Sequence, residues 1–352
     1  MATLQAADIA DLITTTQRDL GKLRWTDIAY DLQEYVALPM ILQKKKVSFQ
    51  SGQGIQWNVM YKTSGAAKDT GLYETDNVNV ADVMTTANIP WRHMTTNYAI
   101  ERREIAMNTG PAQIVELVRI RRNDAMIDLA KHMEQRFWAK PASSSDNKQI
   151  FGVPYWATFN ATEGFNGGNP SGFSNGAGDI DSSQNDFSQW KNYTAQYATV
   201  SSTDLVRKWR RAATFTNFRA PVAGNPYGTG SFSQYGYYTN YNVIGPLEEV
   251  LESQNDNLGN DIASKDGKLL FRQVPVTWVP QLEGRNGDPI YGINWSIMKP
   301  AFLSGEYMRE EGPTAASNQH TVFQTHVDTT MNLMCYDRRR NFVLATADPG
   351  DG

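Results

Sequence analysis

Few side chains in this sequence have the types and spacing that metal binding or nucleophilic catalysis requires. The four histidines are His93, His132, His320 and His326, and the single cysteine is Cys335. None of the histidines has the spacing of an HExxH zinc motif, and structural zinc sites usually show their ligands in close pairs. Because side chains alternate between the two faces of a strand, His326 and Cys335 would point to opposite faces. We therefore predict exposed strand histidines, a small buried thiol and no metal site.

Two acids and two glycine-rich segments are the other candidates for chemistry. Glu101 and Glu104 could form the acid pair of a glycoside hydrolase, but they alternate with Arg102 and Arg103, which favours an ion-pair cluster. The segment GNPYGTGSFSQYG does not join a strand to a helix as a dinucleotide-binding loop must, and SGAAKDTG lacks the GK[ST] ending of a phosphate loop. No GxSxG motif is present, and the cysteine has no plausible histidine partner. The sequence predicts no catalytic residues and no bound cofactor, and we expect that the protein is not an enzyme.

The composition is typical of a globular protein that is long enough to bury a large core. The chain has 352 residues, of which 40% are hydrophobic and 20% charged, with a net charge of -4. A dedicated nucleic-acid-binding protein would usually be basic. One cysteine permits no intrachain disulfide, and together with the lack of a signal peptide this fits a reducing cytoplasm. No apolar run approaches the ~20 residues that span a bilayer, so we expect no membrane association.

The elements that would position these side chains begin with segments that lack partners of their own. Residues 1–46 contain two short predicted helices and too little structure to enclose a core, so they are predicted to be an arm. Residues 47–87 alternate apolar and polar side chains with period two and predict a long hairpin with a polar, turn-rich tip. An isolated hairpin is marginal in water, and the adjacent sequence supplies no clear third strand.

One very long helix is predicted from Pro111, which suits the first helical position, and it ends before Pro141. Roughly 29 residues at about 1.5 Å each would make a rod about 43 Å long. Its apolar stripe consists of Ile114, Val118, Ala125, Leu129, Met133 and Phe137.

A mixed region of loops, helices and strands is predicted to follow. Residues 141–185 are rich in Gly, Asn and Ser and predict a long loop, and two helices are predicted in STDLVRKWRRAATFT and PLEEVLESQNDN. The last segments predict strands, and MCYDRRRNFVLAT predicts a strand, a tight turn and a strand. Asp337 and Asn341 are plausible turn residues, which would place Arg338–Arg340 at an exposed tip.

The order of these elements resembles that of the major capsid proteins of tailed bacteriophages, whose fold is shared with the bacterial encapsulins. The resemblance covers nearly the whole chain and rests on architecture. The E-loop of that family is matched by GIQWNVMYKTSGAAKDTGLYETDNVNV and its spine helix by PAQIVELVRIRRNDAMIDLAKHMEQRFWAK. The start of the axial domain is matched by IFGVPYW, a central axial strand by LLFRQVPVTWVP, and the closing peripheral strands by HTVFQTHVDTTMNLMCYDRRRNFVLAT.

The resemblance implies an α+β fold, the phage major-capsid fold. Its expected parts are an N-terminal arm (1–46), an extended E-loop hairpin (47–87), a peripheral-domain strand with the long spine helix (88–140), an inserted axial domain (141–290), and peripheral return strands with a C-terminal tail (291–352).

The resemblance also implies the function and the partners. Copies of the chain would assemble as hexamers and pentamers into the icosahedral head of a double-stranded DNA phage, in the cytoplasm of a bacterial host. The shell would enclose DNA without sequence-specific binding, because strong phosphate binding would oppose packaging. The arm begins close to Met1, where some relatives carry a removable scaffolding segment. We therefore expect a separate scaffolding protein or a chain in mature form, and a portal as a further partner.

Two alternative functions remain open at this point. The first is an encapsulin-like compartment, which would hold enzyme cargo in place of a genome. The second is a secreted carbohydrate-active or carbohydrate-binding module, suggested by Trp156, Trp190 and the many tyrosines. Such aromatic residues are more typical of cores and interfaces.

Three groups of charged residues are expected at contacts between copies. The E-loop group, which would cross a neighbouring subunit, consists of Lys62, Lys68, Asp69, Glu74 and Asp76. The acids of this group are expected to face basic residues near the spine helix, and the candidates are Arg102, Arg103, Arg119, Arg121 and Arg122. The third group would join capsomers near three-fold axes, with acids interleaved between arginines, and consists of Asp337, Arg338, Arg339, Arg340, Glu306, Glu310 and Glu311. No partner for a covalent crosslink is identified, so none is predicted.

Overall fold

The computed structural model describes residues 47–49, 52–72, 82–107, 111–217, 235–253, 269–317 and 319–350. The predicted arm lies outside the described residues, and so do Glu74 and Asp76 of the predicted E-loop. The first elements are β1 (Val47–Phe49), β2 (Gly54–Met60), β3 (Met84–Pro90), β4 (Arg92–Glu101), α1 (Arg102–Met107), α2 (Pro111–Phe137), α3 (Val153–Trp156), β5 (Gly164–Gly167), β6 (Asn192–Gln196) and α4 (Leu205–Thr216). The remaining elements are β7 (Tyr235–Thr239), α5 (Tyr241–Ser253), β8 (Leu270–Phe271), β9 (Val274–Trp278), β10 (Ile290–Asn294), β11 (Met298–Leu303), β12 (Arg309–Ala316), β13 (Gln319–Cys335) and β14 (Phe342–Ala345).

The chain divides into two compact units. Among the described residues, the smaller unit consists of those within 93–133 and 305–330, and the larger unit of those within 47–92, 134–304 and 331–350. In the smaller unit β12 pairs antiparallel with β13, and the pairing shifts register at two points. Strand β4 also pairs with β13. The boundary between the two units falls within β4, α2 and β13.

The long helix is confirmed, since α2 runs from Pro111 to Phe137 over 27 residues. The predicted stripe is buried at Ala125, Leu129, Met133 and Phe137. Apolar residues that recur about every four positions are a signal within the helix itself. They therefore predict the helix whatever elements it packs against.

The larger unit contains a seven-stranded mixed sheet in the order β5-β6-β14-β10-β7-β9-β8. Helices α4 and α5 bury their apolar sides in one core with this sheet; Trp209 of α4 stacks on Phe271 with ring centroids 4.5 Å apart. Alternate residues of β7 face opposite ways, so Tyr237 lies in that core while Tyr238 contacts Trp138 and Trp295 instead.

Two local predictions about strand pairing need correction. The predicted hairpin in MCYDRRRNFVLAT is wrong, because β13 pairs with β11 and β12 whereas β14 lies between β6 and β10 in the seven-stranded sheet. The hairpin after residue 47 is formed by β2 and β3, in a register from Gly54↔Pro90 to Met60↔Met84. The second strand extends to Pro90, beyond the predicted boundary at residue 87, and the segment VNV lies outside the described residues.

Candidate assembly surfaces

The β2–β3 hairpin is buried at its base. Ile55 and Ile89 are fully buried. The ring centroid of Trp57 lies 6.0 Å from that of Trp156 and 6.3 Å from that of Tyr336. The backbone N–H of Asn88 donates to the carbonyl of Gly178 at 2.9 Å. The prediction that this hairpin lacks support within the chain is therefore wrong for its base, because loops distant in sequence supply the missing contacts.

The far end of the same hairpin exposes apolar side chains. Leu72 is 93% exposed, Met60 64% and Met84 53%. The charged residues Lys68 and Asp69 are exposed as well. Apolar surface of this kind usually marks a contact site when it is contiguous.

Lys62 has a partner within its own chain. Its ammonium group lies 3.1 Å from the carboxylate of Asp186, and this hydrogen bond raises the pKa of the lysine. Beside it, the rings of Tyr61 and Phe187 meet edge to face at 4.7 Å. The structure thus gives Lys62, which lies just after the end of β2, a contact within its own chain.

Two of the predicted spine-helix arginines are bound within the smaller unit. Arg121 donates two hydrogen bonds to the buried carboxylate of Glu104, at 2.8 and 3.2 Å, and a third to the carbonyl of Ala99. Arg122 donates to Glu310 through Nε at 2.9 Å and also through Nη2. These pairs hold α2 to neighbouring elements of the same unit.

The other predicted arginines and acids of the smaller unit divide into exposed and paired groups. Arg102, Arg103 and Arg119 are exposed, and Arg103 comes only within 3.9 Å of Glu101. Arg309 lies 2.8 Å from Glu306 and 3.0 Å from Glu311. The acids predicted to meet Arg338–Arg340 thus contact Arg309 and Arg122 in the structure.

Arg338 is fully buried, so the prediction that it lies at an exposed tip is wrong. Its guanidinium donates to the carbonyls of Trp156, Trp190 and Gly168 at 2.8–3.0 Å. Longer hydrogen bonds of 3.1–3.4 Å reach Thr158 Oγ1, Asn192 Oδ1 and the carbonyl of Gly167. All of these acceptors are neutral, and burial lowers the pKa of Arg338 to about 10.

The two arginines that follow are also held within the larger unit. Arg340 is 2% exposed and donates to Asp337 at 3.2 Å, so the exposed-tip prediction is wrong for it too. Asp337 also accepts from the backbone N–H of Arg339, whose guanidinium lies 4.8 Å from the ring centre of Phe165. Residues 338–340 form a 3₁₀ turn, in which successive side chains point about 120° apart. The three arginine side chains of this turn therefore point in different directions, and that of Arg338 lies in the core.

The candidate chemical groups occupy ordinary structural positions. Cys335 is buried, as predicted, and burial raises the pKa of its thiol to about 12. Trp156 and Trp190 are buried and donate to the carbonyls of Leu333 and Ala177, so they are core residues. Within the described ranges no group of three or more His, Cys, Asp or Glu side chains could hold a metal ion. No helix in the part of the chain that the structure describes is long and apolar enough to cross a membrane.

Comparison with solved structures gives matches over nearly the whole chain. The capsid of cyanophage A-1(L) matches with 14% identity and a TM-score of 0.59, covering 95% of this chain and 99% of that chain. The capsid of cyanophage Pam1 matches with 11% identity and a TM-score of 0.54, covering 100% of both chains. The capsid of a native GTA particle matches with 12% identity and a TM-score of 0.54, covering 95% and 98%. No protein-family model matches the sequence, and no curated protein does. Since the agreement in structure extends over full-length capsid chains, this chain has the tailed-phage major capsid protein fold.

Proposed function

We propose that the chain is the major capsid protein of a double-stranded DNA tailed phage. Its copies assemble as hexamers and pentamers into an icosahedral shell, with a separate scaffolding protein and a portal as partners and DNA enclosed without sequence recognition. The observation that carries this proposal is the mutual coverage of 95% and 99% with the cyanophage A-1(L) capsid chain. The match extends over nearly the whole of both chains, so the proposal does not rest on one local motif.

The elements of the structure receive capsid roles under this proposal. The β2–β3 hairpin with the residues that connect its strands is the E-loop, and α2 is the spine helix. The seven-stranded sheet with α4 and α5 forms the main part of the axial domain. Strands β4, β12 and β13 belong to the peripheral domain.

The exposed end of the hairpin supports a role in assembly. Its base is anchored by Trp57, whereas Leu72, Met60 and Met84 are left in contact with water. A neighbouring subunit that covered them would gain roughly 25 cal/mol for each Å² of apolar surface removed from water. The acids Asp69, Glu74 and Asp76 would then meet exposed cations of that neighbour, and Arg102, Arg103 and Arg119 are the candidates.

Expression of the chain alone, and together with a scaffolding protein, tests the proposal. Size-exclusion chromatography and electron microscopy should reveal closed shells built from capsomers. The contents of the shells distinguish the two possibilities. DNA or DNA-packaging enzymes indicate a phage head, whereas a co-purified cargo enzyme indicates an encapsulin-like compartment. A protein that stays monomeric under both conditions would contradict any shell function.

A further inference from the structure

Helices α4 and α5 carry charges of opposite sign. All charged residues of α4 are basic, namely Arg207, Lys208, Arg210 and Arg211. All charged residues of α5 are acidic, namely Glu248, Glu249 and Glu252. Both helices bury their apolar sides in one core with the same sheet, so their polar sides belong to one helical layer.

Part of this charge is not neutralised by the residues that the structure describes. Lys208 pairs with Asp204 at 2.6 Å, and Arg211 pairs with Glu163 at 3.1 Å. Arg207 and Arg210 are exposed, and their side chains form no hydrogen bond or ion pair with the residues that the structure describes. The same holds for Glu248 and Glu249 of α5, which are also exposed. Each helix therefore presents charge of a single sign to solvent.

Both helices are held firmly in place, so these charges form a preorganised surface. On α4, Trp209 is fully buried and stacks on Phe271. Arg272 donates one hydrogen bond to the carbonyl of Arg210 at 3.1 Å and another to the hydroxyl of Thr214 at 2.6 Å. These bonds stabilise the position of the second half of α4. On α5, Val243 and Leu247 are fully buried. Preorganisation lowers the entropy that association costs.

We propose that the basic side of α4 in one copy binds the acidic side of α5 in the next copy around a capsomer ring. This inference rests on the proposed function, because it requires copies arranged in a ring. If α4 met α4 or α5 met α5 at a contact, like charges would face each other, which is unfavourable. A contact between different surfaces joins copies head to tail, and such contacts close into rings.

Nucleic acid is the competing partner for the α4 arginines, because phosphate groups also bind basic helices. The charges of α5 argue against it. Glu248 and Glu249 lie in the same helical layer and would repel a polyanion. A second copy satisfies the charges of both helices, whereas a phosphate backbone satisfies only one.

Charge reversal and exchange in the full-length chain test this contact. One variant carries Arg207→Glu and Arg210→Glu, a second carries Glu248→Arg and Glu249→Arg, and a third combines all four changes. The third variant has the net charge of the natural chain, so it controls for net charge. The measurements are capsomer and shell yield by analytical ultracentrifugation and electron microscopy, enclosed nucleic acid by absorbance, and the Tm of the unassembled subunit.

We expect each two-site variant to keep its Tm and to lose about tenfold or more in capsomer yield, because repulsion replaces attraction at each contact. The four-site variant should recover most of that yield, and mixing the two two-site variants should recover it as well. Normal assembly by both two-site variants, or no recovery in the exchanged variant, would overturn the proposal. Normal shells with less enclosed nucleic acid would also overturn it and identify phosphate as the partner. If the natural chain formed no shells, the proposed function itself would fail, which is a different result.

Discussion

A buried guanidinium without a carboxylate stays charged only where neutral acceptors take up its N–H groups. Arg338 meets this condition with six hydrogen bonds, and most of its acceptors are backbone carbonyls that occur in every sequence. Because backbone acceptors leave no sign in a sequence, the run of three arginines resembles an exposed turn. The burial is decided by loops some 150 to 180 residues away, and a local pattern contains no sign of them.

Replacement of Arg338 by lysine should destabilise the larger unit. Lysine has three N–H donors where arginine has five, so carbonyls at the core lose their partners. We expect the free energy of unfolding to fall by about 3 kcal/mol, since each unsatisfied buried group costs roughly 1–3 kcal/mol. Urea unfolding of the unassembled subunit measures this, with Arg339→Lys as the neighbouring control. Equal midpoints for the two variants would contradict the role of Arg338.

The Cys335 thiol gives a prediction about pH. Burial raises its pKa from about 9 to about 12, so the folded state favours the neutral thiol. Its contribution to stability is complete below about pH 9 and is lost as the pH rises from 9 towards 12. At pH 8 we expect a thiol reagent to modify this cysteine only after unfolding, because the thiolate is the reactive form. Rapid labelling of the native chain would show that the thiol is accessible.

Helix α2 and the β2–β3 hairpin show which elements a sequence can and cannot predict. The helix was predictable because its apolar residues recur within each turn. The alternation in IQWNVMY likewise indicated a strand, since Ile55, Trp57 and Val59 share a buried face. The support for the hairpin was missed because Trp156 and Tyr336 come from remote positions. The opposite charges of α4 and α5 can be read from the sequence. The placement of both helices in one layer, on which the proposed contact depends, cannot.

The two ends of the hairpin should respond differently to mutation. Trp57→Ala removes a buried aromatic side chain and should lower the free energy of unfolding of the subunit by about 3–5 kcal/mol. Leu72→Ser removes no intrachain burial, because this leucine is 93% exposed. It should leave the Tm unchanged and reduce the yield of shells. The comparison uses thermal unfolding and electron microscopy, and normal shells from Leu72→Ser would argue against a contact at this end.

At the scale of the whole molecule, assembly should protect the amides of the predicted arm and of the connection between β2 and β3 from exchange with water. We predict that amides of residues 1–46 and 63–72 exchange quickly in the free subunit and slowly in the shell, since protection reports local opening. Hydrogen exchange followed by mass spectrometry compares the two states. The amides of β10 serve as an internal reference, because this strand is buried in the subunit. Equal protection of the arm in both states would show that it belongs to the subunit's own core.

Strand β14 lies between β6 and β10 in the sheet but follows both of them in the chain. A ribosome therefore produces both halves of the sheet before the strand that joins them. Until then, the facing edges of β6 and β10 have unpaired N–H and C=O groups, which are templates for pairing with another chain. Nascent chains that grow side by side on one messenger RNA are thus exposed to aggregation until β14 emerges, and a host chaperone that keeps them apart should raise the soluble yield.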